Sequence, residues 1–125
     1  MSAARARGRI RIHVGELSRE EREALAPQPG GASGEEDLRS RARRSLERAA
    51  QRGGRSAALP ALGAGALPLQ RCAEILLEEA RAHLAGETSL EEIRFVLPDE
   101  PSLRVFEMVD DAARVAEQMR RLRKS

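Results

Sequence analysis

Hydrophobic residues follow two kinds of spacing along the 125-residue chain, and each kind predicts a different element. Between positions 9 and 14 apolar and polar residues alternate singly, which predicts a strand with one buried face. That face carries Ile10, Ile12 and Val14. A nearly continuous apolar run at Ser56–Leu62 predicts a strand covered on both faces, as in the parallel sheet of an α/β protein, and Ile93–Leu97 predicts another strand.

Apolar residues at steps of three and four predict the helices between these strands. The capping-box pattern at Ser18–Glu21 predicts that a short helix begins there and runs from about Arg19 to Leu25. Three longer helices are predicted at Glu35–Gln51, about Leu69–Leu84 and about Ser102–Arg121. The last has a broad apolar face that extends from Val105 to Leu122. Alternation of strands and helices predicts a mainly parallel sheet with helices on its faces.

A stretch rich in proline and glycine, Pro27–Gly34, predicts a loop or linker. It divides the chain into an N-terminal part, residues 1–34, with a strand and a short helix, and an α/β unit, residues 35–125.

Composition and charge exclude several functional classes. No apolar run reaches the length of a membrane-spanning helix, and no secretory signal follows Met1, so we expect a cytoplasmic protein without membrane contact. The first 55 residues hold 13 arginines against 8 acids, but aromatic residues and a recognised motif are missing, which disfavours nucleic-acid binding.

Cysteine and histidine are too few and too scattered to predict a disulfide, a metal site or a cofactor. Cys72 is interpreted as a small core residue, the alternative being a thiol activated by a helix N-terminus. His13 falls between the aliphatic residues of its strand and is expected on the exposed face, without a role.

The glycine-rich turn Gly63-Ala-Gly65 lies where a buried strand ends and a helix is about to begin. Ligands of open α/β sheets bind beyond the carboxyl ends of the strands, where glycines let backbone N–H groups approach a phosphate. The turn is therefore a candidate phosphate loop, and a tight structural turn is the alternative.

From about Leu38 to Phe106 the chain resembles the C-terminal half of a macrodomain, a family that binds ADP-ribose. The resemblance is carried by Pro60-Ala-Leu-Gly-Ala-Gly65, the helix that contains Cys72-Ala-Glu-Ile-Leu-Leu77, the strand Phe95-Val-Leu97 and the acidic pair Asp99-Glu100. It implies a truncated α/β/α sandwich with a small, mostly parallel sheet of about three strands. It also implies that backbone amides of four residues wrap a diphosphate, namely Gly63, Ala64, Gly65 and Ala66.

The N-terminal half of the family is largely missing or divergent here. Ile10–Ser18 resembles the first strand and its turn, with Glu16 in place of the Asp that contacts adenine. The Asn-containing strand, the first phosphate loop and the following strands are absent. Hydrolases of the family use that Asn and that loop, so the resemblance implies no catalytic residue and favours a non-catalytic protein.

Two functions compete on this basis. The first is a reduced ADP-ribose or nucleotide-diphosphate binding module in which ligand binding is weak or lost. The alternative is a structural or interaction protein. In the family, the three surviving strands are neighbours, so the strand at Ser56–Leu62 would lose its inner neighbour and expose an edge. That edge and the C-terminal helix would then bind a second copy or a partner protein.

Overall fold

The computed structural model describes residues 8–27, 34–62 and 67–124, which contain three strands and four helices. The order is β1 (Arg9–Val14), α1 (Arg19–Glu23), α2 (Glu35–Gln51), β2 (Ser56–Leu59), α3 (Leu69–Ala85), β3 (Glu92–Leu97) and α4 (Glu100–Lys124). The predicted α/β fold is confirmed. β2 ends at Leu59 instead of Leu62, because the chain turns there and the Leu62 N–H donates to the Pro60 carbonyl instead of to a strand.

The three strands form one parallel sheet in the order β1-β3-β2. β3 pairs along its full length with β1, from Arg9 opposite Glu92 to Val14 opposite Leu97. On its other side β3 pairs with β2, from Ser56 opposite Glu92 to Leu59 opposite Phe95. The predicted contiguous three-stranded sheet is therefore present, and β2 is an edge strand with one neighbour among the described residues.

One face of the sheet and helices α2, α3 and α4 enclose the main core. Its centre is the pair Phe95 and Phe106, whose ring centroids lie 5.5 Å apart. Ile10 and Ile12 pack against this core as predicted, but Val14 is 40% exposed. Val14 is the last residue of an edge strand, beyond the cover that the helices give to β1.

The second face of the sheet is covered much less, by α1 and the segments beside it. Its apolar contacts join Leu17, Ala58 and Val96, with Leu25 packed against them. The rest of this face is charged: an Arg94 Nη1 atom lies 3.2 Å from Nε2 of His13, and a second Arg94 nitrogen donates to Glu21. His13 is thus half-buried beside an arginine, and the prediction that it lies on an open face is only roughly right.

Helix α1 is fixed by the predicted capping box. The Glu21 N–H donates to Ser18 Oγ at 3.1 Å, and the Ser18 N–H donates to Glu21 Oε1 at 2.9 Å. The bond from the Ser18 N–H and the nearby Arg94 guanidinium lower the pKa of Glu21, although partial burial opposes them. Glu21 thereby attaches α1 to the central strand of the sheet.

Arginines on the outer side of α2 bind acids of α3. Arg43 donates to both oxygens of Glu79 at 3.1 Å, and Arg39 reaches the same carboxylate at 3.3 Å. Glu79 is nearly buried, so these contacts neutralise a carboxylate that would otherwise be costly to bury. Some of the arginines that give the first 55 residues their excess of positive charge thus form ion pairs within the fold. None of the described helices is long and apolar enough to span a membrane.

Candidate functional site

The carboxyl ends of the three parallel strands meet at one edge of the sheet, which we call the carboxyl edge. Beyond β1 come Gly15 and Glu16, beyond β2 the turn at residues 60–62, and beyond β3 Pro98 and Asp99. The Gly15 N–H donates to the Leu97 carbonyl at 2.9 Å, which carries the pairing one residue past the strand. A ligand of a parallel sheet is expected at this edge.

The predicted diphosphate loop, Gly63, Ala64, Gly65 and Ala66, lies outside the described residues, so its four positions stay a prediction. Both of its ends are described. Before it, Leu62 is buried and its N–H donates to the Pro60 carbonyl at 2.8 Å, a tight turn directly after β2. After it, Leu67 packs against the core and Pro68 precedes the first residue of α3. The loop therefore joins the carboxyl edge to a helix N-terminus.

The N-terminus of α3 differs from those of the other three helices. Its cap residue, Pro68, makes no side-chain hydrogen bond, and its first turn contains no acidic residue. In contrast, α1 and α4 are capped by Ser18 and Asp99, and α2 begins with three acids. A helix N-terminus carries a partial positive charge and unbonded N–H groups. At α3 neither a capping side chain at Pro68 nor an acidic residue in the first turn compensates them among the described residues.

Asp99 has a structural role that the sequence analysis missed. Its carboxylate accepts a hydrogen bond from the Ser102 N–H at 2.9 Å, and its carbonyl accepts one from the Leu103 N–H. Hydrogen bonds from Ser102 lower the pKa of Asp99. It thus caps α4, which begins at Glu100 rather than near Ser102. The signal was present in the sequence, as an Asp directly before a helical pattern.

Cys72 is confirmed as a core residue. It is 3% exposed, and burial raises the pKa of its thiol, the opposite of what an activated nucleophile needs. Among residues 8–27, 34–62 and 67–124 no group of three or more His, Cys, Asp or Glu side chains could hold a metal ion.

A second concave region lies along the outer edge of β2. Its volume is about 200 Å³, and its walls come from α1, α2 and β2 itself. The strand contributes all four of its residues, α1 contributes Glu20 and Glu21, and Ala24 and Leu25 come from the segment directly after α1. The sequence predicted an open edge here, but not that α1 would form one wall of a groove beside it.

Two solved structures of a macrodomain from Trypanosoma brucei are similar to this chain. One, in complex with ADP, superposes with a TM-score of 0.57 at 25% identity, over 62% of this chain and 34% of that chain. The fold is macrodomain-like. A second crystal form agrees, with a TM-score of 0.56 and 25% identity over 61% of this chain and 33% of that one.

The macrodomain-like region spans about a third of the length of the proteins it matches. No protein-family model matches the sequence, and no curated protein does. The similarity therefore supports the fold, and any activity of a whole macrodomain comes to this chain only as a proposal.

Proposed function

We propose that this chain is a reduced binding module for ADP-ribose or a related nucleotide diphosphate. The ligand would lie at the carboxyl edge, with its diphosphate held by backbone amides of Gly63, Ala64, Gly65 and Ala66. The observation that carries the proposal is the N-terminus of α3, which follows this loop and has neither a side-chain cap nor an acid in its first turn among the described residues. The similar macrodomain structure in complex with ADP supports the same class of ligand.

Backbone groups, rather than charged side chains, would do the binding. The nearest cation of α3, Arg71, already donates to Glu35 at 2.7 Å and 2.8 Å and to Glu74 at 2.9 Å. Amides at a helix N-terminus favour an anion without any side-chain charge. Because the diphosphate would lack a cationic partner, we expect a dissociation constant on the order of 0.1 mM, equivalent to about −5.5 kcal/mol.

The proposed module is non-catalytic. Of the acids at the described carboxyl edge, Asp99 is occupied in capping α4, and Glu16 is exposed. Neither is paired there with a nucleophile or a base, which acid–base chemistry would require.

Calorimetric titration with ADP-ribose tests this function. We expect a one-site isotherm with ADP-ribose and with ADP, and much weaker binding of AMP, which lacks the diphosphate. The double variant Gly63→Val/Gly65→Val should abolish the heat, because branched side chains block the approach of the backbone to the phosphates.

Gly86→Val is the matched control for that variant. Gly86 lies at the other end of α3 in extended conformation, where an added Cβ would make an ordinary contact of 3.7 Å with the His83 carbonyl. It should bind like the parent. If the folded parent gives no heat at millimolar ADP-ribose, or if the loop variant binds as tightly as the parent, the proposed function is wrong.

A second candidate function is association through the outer edge of β2. The specific observation in its favour is the groove along that edge, whose lining includes Ala57, Ala58 and Leu59 and where no second described strand pairs with β2. The Arg55 carbonyl accepts from the Glu92 N–H at 3.2 Å, so alternation along β2 turns the N–H of Ser56 outward. Ser56→Pro should therefore block strand addition and leave the pairing with β3 intact, which light scattering would show as loss of a dimer.

A further inference from the structure

Helix α4 has two apolar faces on opposite sides. The inner face packs into the core through Leu103, Phe106 and Val109. At about 100° per residue, Val115 lies about 180° around the helix from Phe106. Val115 is 57% exposed. Leu122, which the sequence-based prediction placed on the same apolar face as Val105, is 70% exposed, so the prediction of one continuous face is wrong.

The outer face forms a regular seam. Its members are spaced by four, three, four and three residues, the spacing of the contact positions in a coiled coil. They are Met108, Ala112, Val115, Met119 and Leu122, which we call the outer seam. The four large side chains of the outer seam are 50% to 70% exposed. Such a stripe is typical of a helix that packs against another helix.

Charge is distributed unevenly along the same helix. Residues 100–112 carry four acids against one arginine, and residues 113–124 carry five cations against one glutamate. Two copies of α4 side by side in the same direction would place the cation-rich ends together. In opposite directions, each basic half lies against the acidic half of the other copy, which is favourable.

We propose that two copies of this chain associate through the outer seam of α4 with the helices antiparallel. At the centre of this antiparallel pair, the small Ala112 of one copy lies against the larger Val115 of the second copy. Towards either end Met108 lies against Met119 of the second copy. The surface is separate from the carboxyl edge and does not depend on nucleotide binding.

Polar positions beside the seam agree with this direction. In an antiparallel pair Asp111 of one helix comes opposite Gln118 of the other, a hydrogen-bonding pair without like charges. Asp111 is exposed and has no ion pair within the described residues, so its carboxylate is available.

Light scattering of the full chain over a concentration series is the first test. We expect a concentration-dependent dimer, and Val115→Glu should raise its dissociation constant at least about 100-fold, because a central charge would be buried. Ala82→Glu places the same residue at an exposed position of α3 and is the matched control, expected to dimerise like the parent. Circular dichroism should show both variants folded, since neither position lies in the core.

Disulfide trapping tests the direction. Met108→Cys and Met119→Cys are made in separate chains that also carry Cys72→Ala, so no intramolecular disulfide can form. In the antiparallel pair, two copies of the same position are about 16 Å apart along the axis, beyond the reach of a disulfide. We therefore expect cross-linking when the two variants are mixed and little in either alone.

Three results would overturn the proposal. A chain that stays monomeric to about 1 mM has no such interface, since that corresponds to less than about 4 kcal/mol of association. A dimer that survives Val115→Glu uses another surface, and loss of that dimer in Ser56→Pro would assign it to the edge of β2. Cross-links in each single variant would show a parallel pair.

Discussion

The two-faced character of α4 makes a direct prediction for folding stability. Phe106 and Met108 are two residues apart on the same helix, yet Phe106 is fully buried and Met108 is 53% exposed. Replacing each with alanine removes a large side chain from opposite sides of α4. Only the first should destabilise the fold substantially.

The expected loss for Phe106→Ala follows from its surroundings. Removing about 150 Å² of buried apolar area costs about 4 kcal/mol at 25 cal/mol per Å². The lost contact with the Phe95 ring, 5.5 Å away, adds about 0.5–1.5 kcal/mol. Since a domain of this size has about 5–15 kcal/mol of stability in all, the variant should lose about a third or more.

Urea unfolding followed by circular dichroism measures both variants, at a concentration where the chain is monomeric. Phe106→Ala should lower the free energy of unfolding by about 4–5 kcal/mol, and Met108→Ala by less than about 1 kcal/mol. Similar losses from the two variants would refute the assignment of an inner and an outer face.

Three further predictions concern the rest of the fold. Glu21→Gln should cost about 1 kcal/mol at pH 7, through weaker bonds to Arg94 and to the cap. The pKa of Glu21 is lowered in the folded state. The stabilisation from its ionised carboxylate is therefore complete above the ordinary pKa of 4.5 and is lost as pH falls through the folded pKa. Thermal melts should accordingly show the melting temperatures of variant and parent converging in acid. The buried Ala26 N–H donates to the Ser45 hydroxyl at 2.9 Å. Ser45→Ala leaves this N–H without its partner and should lower the free energy of unfolding in urea by about 1–3 kcal/mol. A decrease below about 0.3 kcal/mol would contradict this. Cys72 should react with a thiol reagent at least about 100-fold more slowly in the folded chain than in urea, and rapid reaction would disprove its burial.

Much of the fold could be predicted because the hydrophobic periodicity agrees with the capping residues, glycines and prolines at the ends of the elements. Single alternation identified β1, glycines and prolines bounded the other elements, and the Ser18–Glu21 pattern is the capping box of α1. The expectation that the three strands are neighbours came from the family resemblance, since periodicity says nothing about which strands pair.

The errors have a common physical cause. Hydropathy records residue type, but not which side of an element meets the core. The hydropathy pattern therefore predicted a single apolar face for α4 and a buried position for Val14, which is exposed. At the candidate site, the sequence identified a loop between β2 and α3 but missed the cap formed by Asp99, because a single carboxylate reads equally well as ligand or cap.

The position of β3 between β1 and β2 has a consequence for biosynthesis. Arg9 pairs with Glu92, so the N-terminal strand meets a partner 83 positions later in the chain. At about 5–20 residues per second, synthesis of the chain between β1 and β3 takes roughly 4–17 s. Neither edge strand can join the sheet earlier, although the residues of α2 and α3 have been synthesised by then. Contacts this distant in sequence slow folding, and the emerging chain depends on its charged residues to stay soluble until the last strand arrives.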